Sequence, residues 1–173
     1  RDVIPNYIRH ERSHNHASMI AWLNPDYQAA AKDNSKVRVS CVQYQMRRIA
    51  DFNEFAGQVR YFVETAADYN SEFVLFPEFF SVQLLSHLDP LTSQEGIRKL
   101  ADLTAEFTDL IAGLSREFGL YIIAGSHPVL QKDGSLQNVA MLFRPAGSYV
   151  CQPKLHITPS ERIYWGISGG NEL

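Results

Sequence analysis

The sequence predicts an α/β fold with a mixed sheet, and three observations carry that expectation. Strand-like and helix-like hydrophobic periods alternate from Val37 to Gly119, as they do when helices cover a sheet. Three strand-like segments then follow Gly119 with only turns between them, which argues against a purely parallel sheet. The longest apolar runs, such as Leu120–Gly125, are strand-sized and far short of a membrane span.

The elements follow in order. Val37-Arg38-Val39-Ser40-Cys41-Val42 alternates like a strand. Asp51, with Glu54 three residues on, reads as a capping box that opens a helix. Phe55, Val59, Phe62, Val63 and Ala66 then form one apolar face. Phe73-Val74-Leu75-Phe76 is a short buried strand closed by Pro77, which cannot donate to a ladder. A second helical zone opens at Thr92–Glu95, breaks near Asp102–Thr104 and ends at Gly119, a residue suited to a left-handed C-terminal position. Leu120–Ser126, Val139–Arg144 and Tyr149–Lys154 are the last three strands, separated by turns at Lys132–Ser135 and Pro145–Ser148. Thr158-Pro159-Ser160-Glu161 reads as a helix start, and Trp165 to Gly170 as a Gly-rich turn.

Composition narrows the function classes. At 45% hydrophobic and 20% charged the 173-residue chain is globular rather than disordered. Its length suits about one domain with a sizeable core. A net charge of −3 without a basic run gives no footprint for nucleic acid, and no membrane partner is expected. Two cysteines do not make a disulfide framework, so a reducing cytoplasm is the expectation. Residues 1–35 differ in character: they are rich in His, Asn and Arg, and a polar stretch from Ala31 to Lys36 reads as a linker. Residues 36–173 form the regular domain. The start at Arg1, without Met or a signal-peptide pattern, reads as a chain cut from something longer or one whose first residues were not recorded.

Few residues offer chemistry. Glu78 follows an apolar strand and sits among Phe76, Phe79 and Phe80. A carboxylate there is expensive to desolvate unless paired, which suits a general base. A strand-end Glu facing water or capping the next turn fits the local sequence equally. Lys154 ends the last strand, where a lysine ordinarily reaches to solvent. A site requires it to meet Glu78 at one sheet edge. Cys151 lies an odd number of residues from Lys154, hence on the opposite strand face, and Cys41 reads as a small buried hydrophobe. Neither is a convincing nucleophile. His10, His14 and His16 with Glu11 match no closed zinc pattern, and Gly166, Gly169 and Gly170 lack the frame of a phosphate loop. No metal or cofactor is expected.

Three segments carry a family resemblance. Val37–Gln43, Phe73-Val74-Leu75-Phe76-Pro77-Glu78-Phe79 and Gln152-Pro153-Lys154-Leu155-His156 resemble the first strand, the glutamate motif and the lysine motif of the nitrilase/carbon–nitrogen hydrolase superfamily. Ile123-Ala124-Gly125-Ser126 resembles that family's third strand, and the likeness covers roughly residues 37–172. It implies the N-terminal part of an α-β-β-α sandwich, usually oligomeric, with Cys–Glu–Lys chemistry on a small amide or, less commonly, a nitrile. Glu78 would be the general base and Lys154 the group that stabilises the anionic intermediate. Glu161 resembles the additional glutamate many members place near the lysine, and its capping-box role explains it equally. His156 would sit behind the lysine or pack. The departure is the nucleophile: the family's Cys follows the Lys beyond a further strand, and the chain ends before such a segment. It is therefore expected to be inactive alone, to leave one sheet partly uncovered, and to associate with the missing half or a second copy. Ser81–Pro90 is expected to border the pocket. A non-catalytic module that pairs with another chain or binds a ligand is the alternative, and a plain α/β binding domain a third reading. Val3-Ile4-Pro5-Asn6-Tyr7 and Trp22-Leu23-Asn24-Pro25 resemble the joint of fusions in which an acetyltransferase-like domain precedes a nitrilase-like one.

Overall fold

A computed structural model describes residues 35–88 and 92–171. The readings placed on residues 1–34, the histidine group and the fusion joint among them, lie outside the described residues. Arg38–Leu173 forms one compact unit.

Its elements are β1 (Val39–Cys41), α1 (Phe52–Asp68), β2 (Phe73–Leu75), a 3-10 turn (Phe80–Leu84) running into the short α2 (Leu85–Leu88), α3 (Ser93–Asp102), α4 (Thr104–Phe118), β3 (Tyr121–Leu130), β4 (Leu136–Phe143), β5 (Tyr149–Pro153), a π turn (Glu161–Trp165) and β6 (Ile167–Ser168). The helix starts form as their sequences require. Asp51 accepts from Glu54 N–H at 2.8 Å while Glu54 reaches back to Ala50 N–H at 2.8 Å. Thr92 accepts from Glu95 N–H at 3.1 Å. Gly119 closes α4 at φ 65°, where a Cβ would be disfavoured.

The strand order is β1-β2-β3-β4-β5, with β6 pairing β4. β1, β2 and β3 are parallel, the β3-β4-β5 meander is antiparallel, and β6 lies parallel to β4. The sheet is mixed, as the helix-free tail of the sequence implies. Register then sorts side chains into two faces. Val74, Ile122 and Phe143 stand side by side and are fully buried. They face a core supplied by Phe55, Val59 and Val63 of α1, Ile97 and Leu100 of α3, and Phe107 and Ile111 of α4. Phe80 stacks on Phe76 at 4.7 Å and on Phe55 at 5.6 Å, tying the turn after β2 to α1.

The opposite face is apolar and open. Cys41, Leu75, Ile123, Leu142 and Val150 are successive register partners across β1 to β5. Not one of them is buried. Beside them Val39, Phe73 and Tyr121 form a second row, the last two stacked at 4.7 Å. A continuous, partly exposed apolar face of this kind marks an interaction surface.

Two readings of the sequence need correction. Cys41 is exposed rather than buried, because it lies on the open face of an edge strand. The glycine-rich stretch at 165–170 is not only a turn: Ile167 is buried and pairs with Leu136. Two residues between glycines are too short for a period-2 signal. Among the described residues no helix is long and apolar enough to cross a membrane.

Candidate active site

Glu78 is aimed by a tight turn at the end of β2. Phe76 N–H still donates to Ile123 O at 2.9 Å, and Pro77 then ends the strand. Phe79 adopts a left-handed conformation, φ 55°, which costs a non-glycine residue about 1–3 kcal/mol and persists only where surroundings enforce it. They do so here. Phe79 N–H donates to Ser126 Oγ at 3.3 Å, and its ring meets Trp165 edge-on at 5.0 Å. Gly125 completes the turn: it sits at φ 54°, and a Cβ there would lie 1.9 Å from Pro77 O. Gly125→Ala should therefore push the Pro77–Glu78 peptide outward and lower stability by about 2–4 kcal/mol. Thermal unfolding measures this, and an unchanged Tm would contradict the close approach.

Lys154 reaches the same place from β5. Its N–H donates to Asn138 O at 2.8 Å, which keeps the chain in register one residue past the strand. Its ammonium donates to Glu78 Oε1 at 3.0 Å and to Glu161 Oε1 and Oε2 at 3.2 and 3.0 Å. Glu161 comes from the π turn. It forms the reciprocal capping box the sequence suggests, accepting from Thr158 N–H at 2.7 Å while its own N–H donates to Thr158 Oγ1 at 3.2 Å. The same carboxylate binds Lys154, so capping and site roles coincide. Asn138 joins the group, its Nδ2 donating to Glu78 Oε1 at 2.8 Å and to Glu161 Oε1 at 3.0 Å.

Electrostatics follow burial. The Glu161 side chain is 6% exposed, Lys154 28% and Glu78 55%. Burial works against charge on Lys154, but hydrogen bonds and attraction from Glu78 and Glu161 outweigh it and hold the ammonium above lysine's ordinary range. Burial likewise opposes ionisation of Glu161. Donors from Thr158, Lys154 and Asn138 prevail and hold its carboxyl below the ordinary range. One fixed cation thus stands between two carboxylates. They line a cavity of about 280 Å³ with Phe79, Tyr164 and Trp165 as aromatic walls. Such a site offers a base at the wet end, a preorganised positive charge beside it, and a second carboxylate that anchors the charge.

Other residues singled out from the sequence fall elsewhere. Neither Cys41 nor Cys151 lines this cavity. Cys151 pairs with Met141, on the face away from Gln152, and burial pushes its thiol up, against nucleophilic use. His156 is exposed and makes no hydrogen bond to the Glu–Lys–Glu group, contrary to a supporting or packing role. Of Ser81–Pro90, residues 81–88 do not line the cavity, and 89–90 lie outside the described residues. The turn folds inward instead, and Ser81 Oγ pairs with His127 Nδ1 at 2.9 Å in the core. Burial pushes His127 down to about 3, with the Leu100 backbone opposing, so this imidazole is neutral. Among the described residues no group of His, Cys, Asp and Glu is arranged to hold a metal. Asn138 is the site residue the sequence reading misses. Its signal was present, the second of two amides, Gln137 and Asn138, just before the apolar run Val139–Phe143, but polar residues near a turn read as part of the turn.

Comparisons with known proteins bear on this arrangement. The carbon-nitrogen hydrolase family profile matches residues 38–169. Among curated proteins, the "probable hydrolase YhcX" of Bacillus subtilis (strain 168) is 38% identical over 177 residues, covering 99% of this chain and 34% of that protein. Among solved structures, a carbon-nitrogen hydrolase from Helicobacter pylori G27 superposes with a TM-score of 0.61 at 16% identity, covering 78% of this chain and 45% of that one. An amidase from Nesterenkonia sp. gives 0.63 at 15% identity, with coverage of 79% and 49%. Saccharomyces cerevisiae Nit3, a member of branch 10 of the nitrilase superfamily, gives 0.62 at 19%, with the same coverage. The chain spans about a third of the curated relative and about half of these structures, whose fold it shares. On the strength of the family match and the B. subtilis relative, the chain belongs to the carbon-nitrogen hydrolase family.

Proposed function

We propose that this chain carries the base and the oxyanion-stabilising lysine of an amidase-type C–N hydrolase that acts on a small linear amide. The observation that carries the reading is the Lys154 ammonium, 3.0 Å from both Glu78 and Glu161 at the wall of an aromatic-lined cavity. In this reading a cysteine of the full-length protein, C-terminal to Leu173, supplies the nucleophile. Glu78 takes the thiol proton as sulfur attacks the amide carbon. Lys154 faces the oxygen on which negative charge develops. The C–N bond breaks, the proton leaves on the amine, and a thioester remains. Water then attacks that thioester, Glu78 takes its proton, and the acid and free thiol are released.

Support for the thiol comes from a fold relative: in a mutant of the Nesterenkonia sp. AN1 amidase the acetamide moiety of fluoroacetamide is added covalently at the active-site cysteine. The open apolar face of the sheet supports a partner layer from the rest of the full-length chain or from a second copy. Nitriles are the second substrate class. The test is ammonia release by the full-length protein from a panel of short aliphatic amides and the matching nitriles. Amides should turn over, and iodoacetamide should abolish the activity. Turnover that survives complete thiol alkylation would sink the proposal.

A further inference from the structure

Asn138 occupies a position that a merely structural residue would not need. It is 1% exposed on β4, and its Oδ1 is buried without a hydrogen-bond partner. Such an orphan costs about 1–3 kcal/mol. Flipping the amide would not relieve it, because the oxygen would then face two carboxylate oxygens. The orientation is therefore forced by Glu78 and Glu161, each of which takes one Nδ2 hydrogen at 2.8 and 3.0 Å. The main chain adds a second constraint, since Asn138 O also accepts Lys154 N–H at 2.8 Å. One residue thus touches all three members of the site.

The consequence for Glu78 is directional. Its Oε1 accepts from both Asn138 Nδ2 and Lys154 Nζ, while Oε2 takes no hydrogen bond among the described residues. A half-exposed glutamate on its own would sample several rotamers. With Oε1 held from two sides, Oε2 is the atom presented to the cavity. The amide does this without adding charge. A second cation would deepen the ion pair and weaken the base, whereas a neutral donor fixes the carboxylate and leaves one ammonium against two anions. The titratable groups lining the cavity are Glu78, Lys154, Glu161 and Tyr164.

We propose that Asn138 is the positioning residue of this site: it clamps Oε1 of Glu78 and of Glu161 so that Glu78 Oε2 takes the proton. The proposal rests on the amidase reading for what the proton transfer accomplishes, but not for the clamp itself. The test uses the full-length protein with Asn138→Leu, which keeps volume and removes both donors, and Asn138→Ala, which removes them without adding bulk. Carboxyl 13C NMR titration, assigned with Glu78→Gln and Glu161→Gln, reads the clamp without any substrate. In Asn138→Leu the Glu161 carboxyl, which loses one of the donors that hold it below the ordinary range, should titrate higher. For ammonia release from the best amide of the panel, kcat should fall about tenfold or more with KM held, as a misplaced base requires. Asn138→Ala provides the same readings should the leucine variant fail to fold. A folded variant whose Glu161 titrates as in the wild type and whose kcat is unchanged, at unchanged or lowered Tm, would overturn the clamp and leave Asn138 structural. Loss of the amidase reading looks different: the wild-type protein would then release no ammonia from any amide of the panel, whatever the titration of Asn138→Leu shows.

Discussion

Glu78→Gln in the full-length protein should lower kcat for amide hydrolysis by about 10²–10⁴-fold, the usual reach of a general base, with KM little changed. Glutamine keeps the size and can still accept from Asn138 and Lys154 through its oxygen, so folding should survive. What it loses is the ability to take a proton from a thiol and then from water. Lys154→Ala should cost about 10²–10³-fold, as removal of one oxyanion donor does. It should also release two carboxylates that now share a single cation. The pH dependence follows from the two shifts. Lys154 is held above its ordinary range, so its contribution is fully present below that range and is lost only as pH rises through the higher folded value. Glu161 is held below its ordinary range, so its contribution is present above that range and is lost as pH falls through the lower folded value. The Lys154–Glu161 pair is thus intact across neutral pH. Steady-state kinetics on the amide panel checks both variants, and a Glu78→Gln protein within threefold of wild type would remove Glu78 from the mechanism.

The second large effect concerns the open sheet face. Leu142→Asp should abolish or severely reduce soluble, folded full-length protein. Leu142 lies at the middle of the row Cys41-Leu75-Ile123-Leu142-Val150. If that row packs against the remainder of the protein, the substitution buries an unpaired carboxylate, with a penalty of several kcal/mol. That penalty is comparable to a whole domain's stability of about 5–15 kcal/mol. Tyr61→Asp is the control: Tyr61 is exposed on α1 and its replacement should change stability by about 0.5 kcal/mol or less. Soluble yield and Tm compare the two. Equal behaviour would mean that the face stays in solvent in the full-length protein.

The fold was legible because its signals are local. Caps at Asp51 and Thr92, the apolar stripes of α1 and α4, and the break beside Leu103 are written in adjacent residues, and the structure follows them. β6 was not, because Ile167 and Ser168 gain their identity as a strand only from Leu136 and Gln137 across the sheet. The burial of Cys41 was misjudged for a related reason. Alternation tells which residues share a face but not whether a second layer covers it. At the site, each local reading was ambiguous: Glu78 could face water, Lys154 could reach solvent, Glu161 could only cap. Their meaning comes from contacts 76 and 7 residues apart in sequence, and Asn138 joins Glu78 across 60. No sequence window contains the pairs 60 and 76 residues apart. The motif resemblance supplied what spacing could not.

The central claim is that Glu78 and Lys154 serve a cysteine acyl transfer. Its most direct test is intact-mass and peptide mass spectrometry of the full-length protein, acid-quenched during amide turnover. The predicted result is a mass gain equal to the acyl group, held as a thioester on one cysteine C-terminal to Leu173 and absent in Glu78→Gln. Ammonia release that proceeds with no acylated cysteine at any quench time would contradict it.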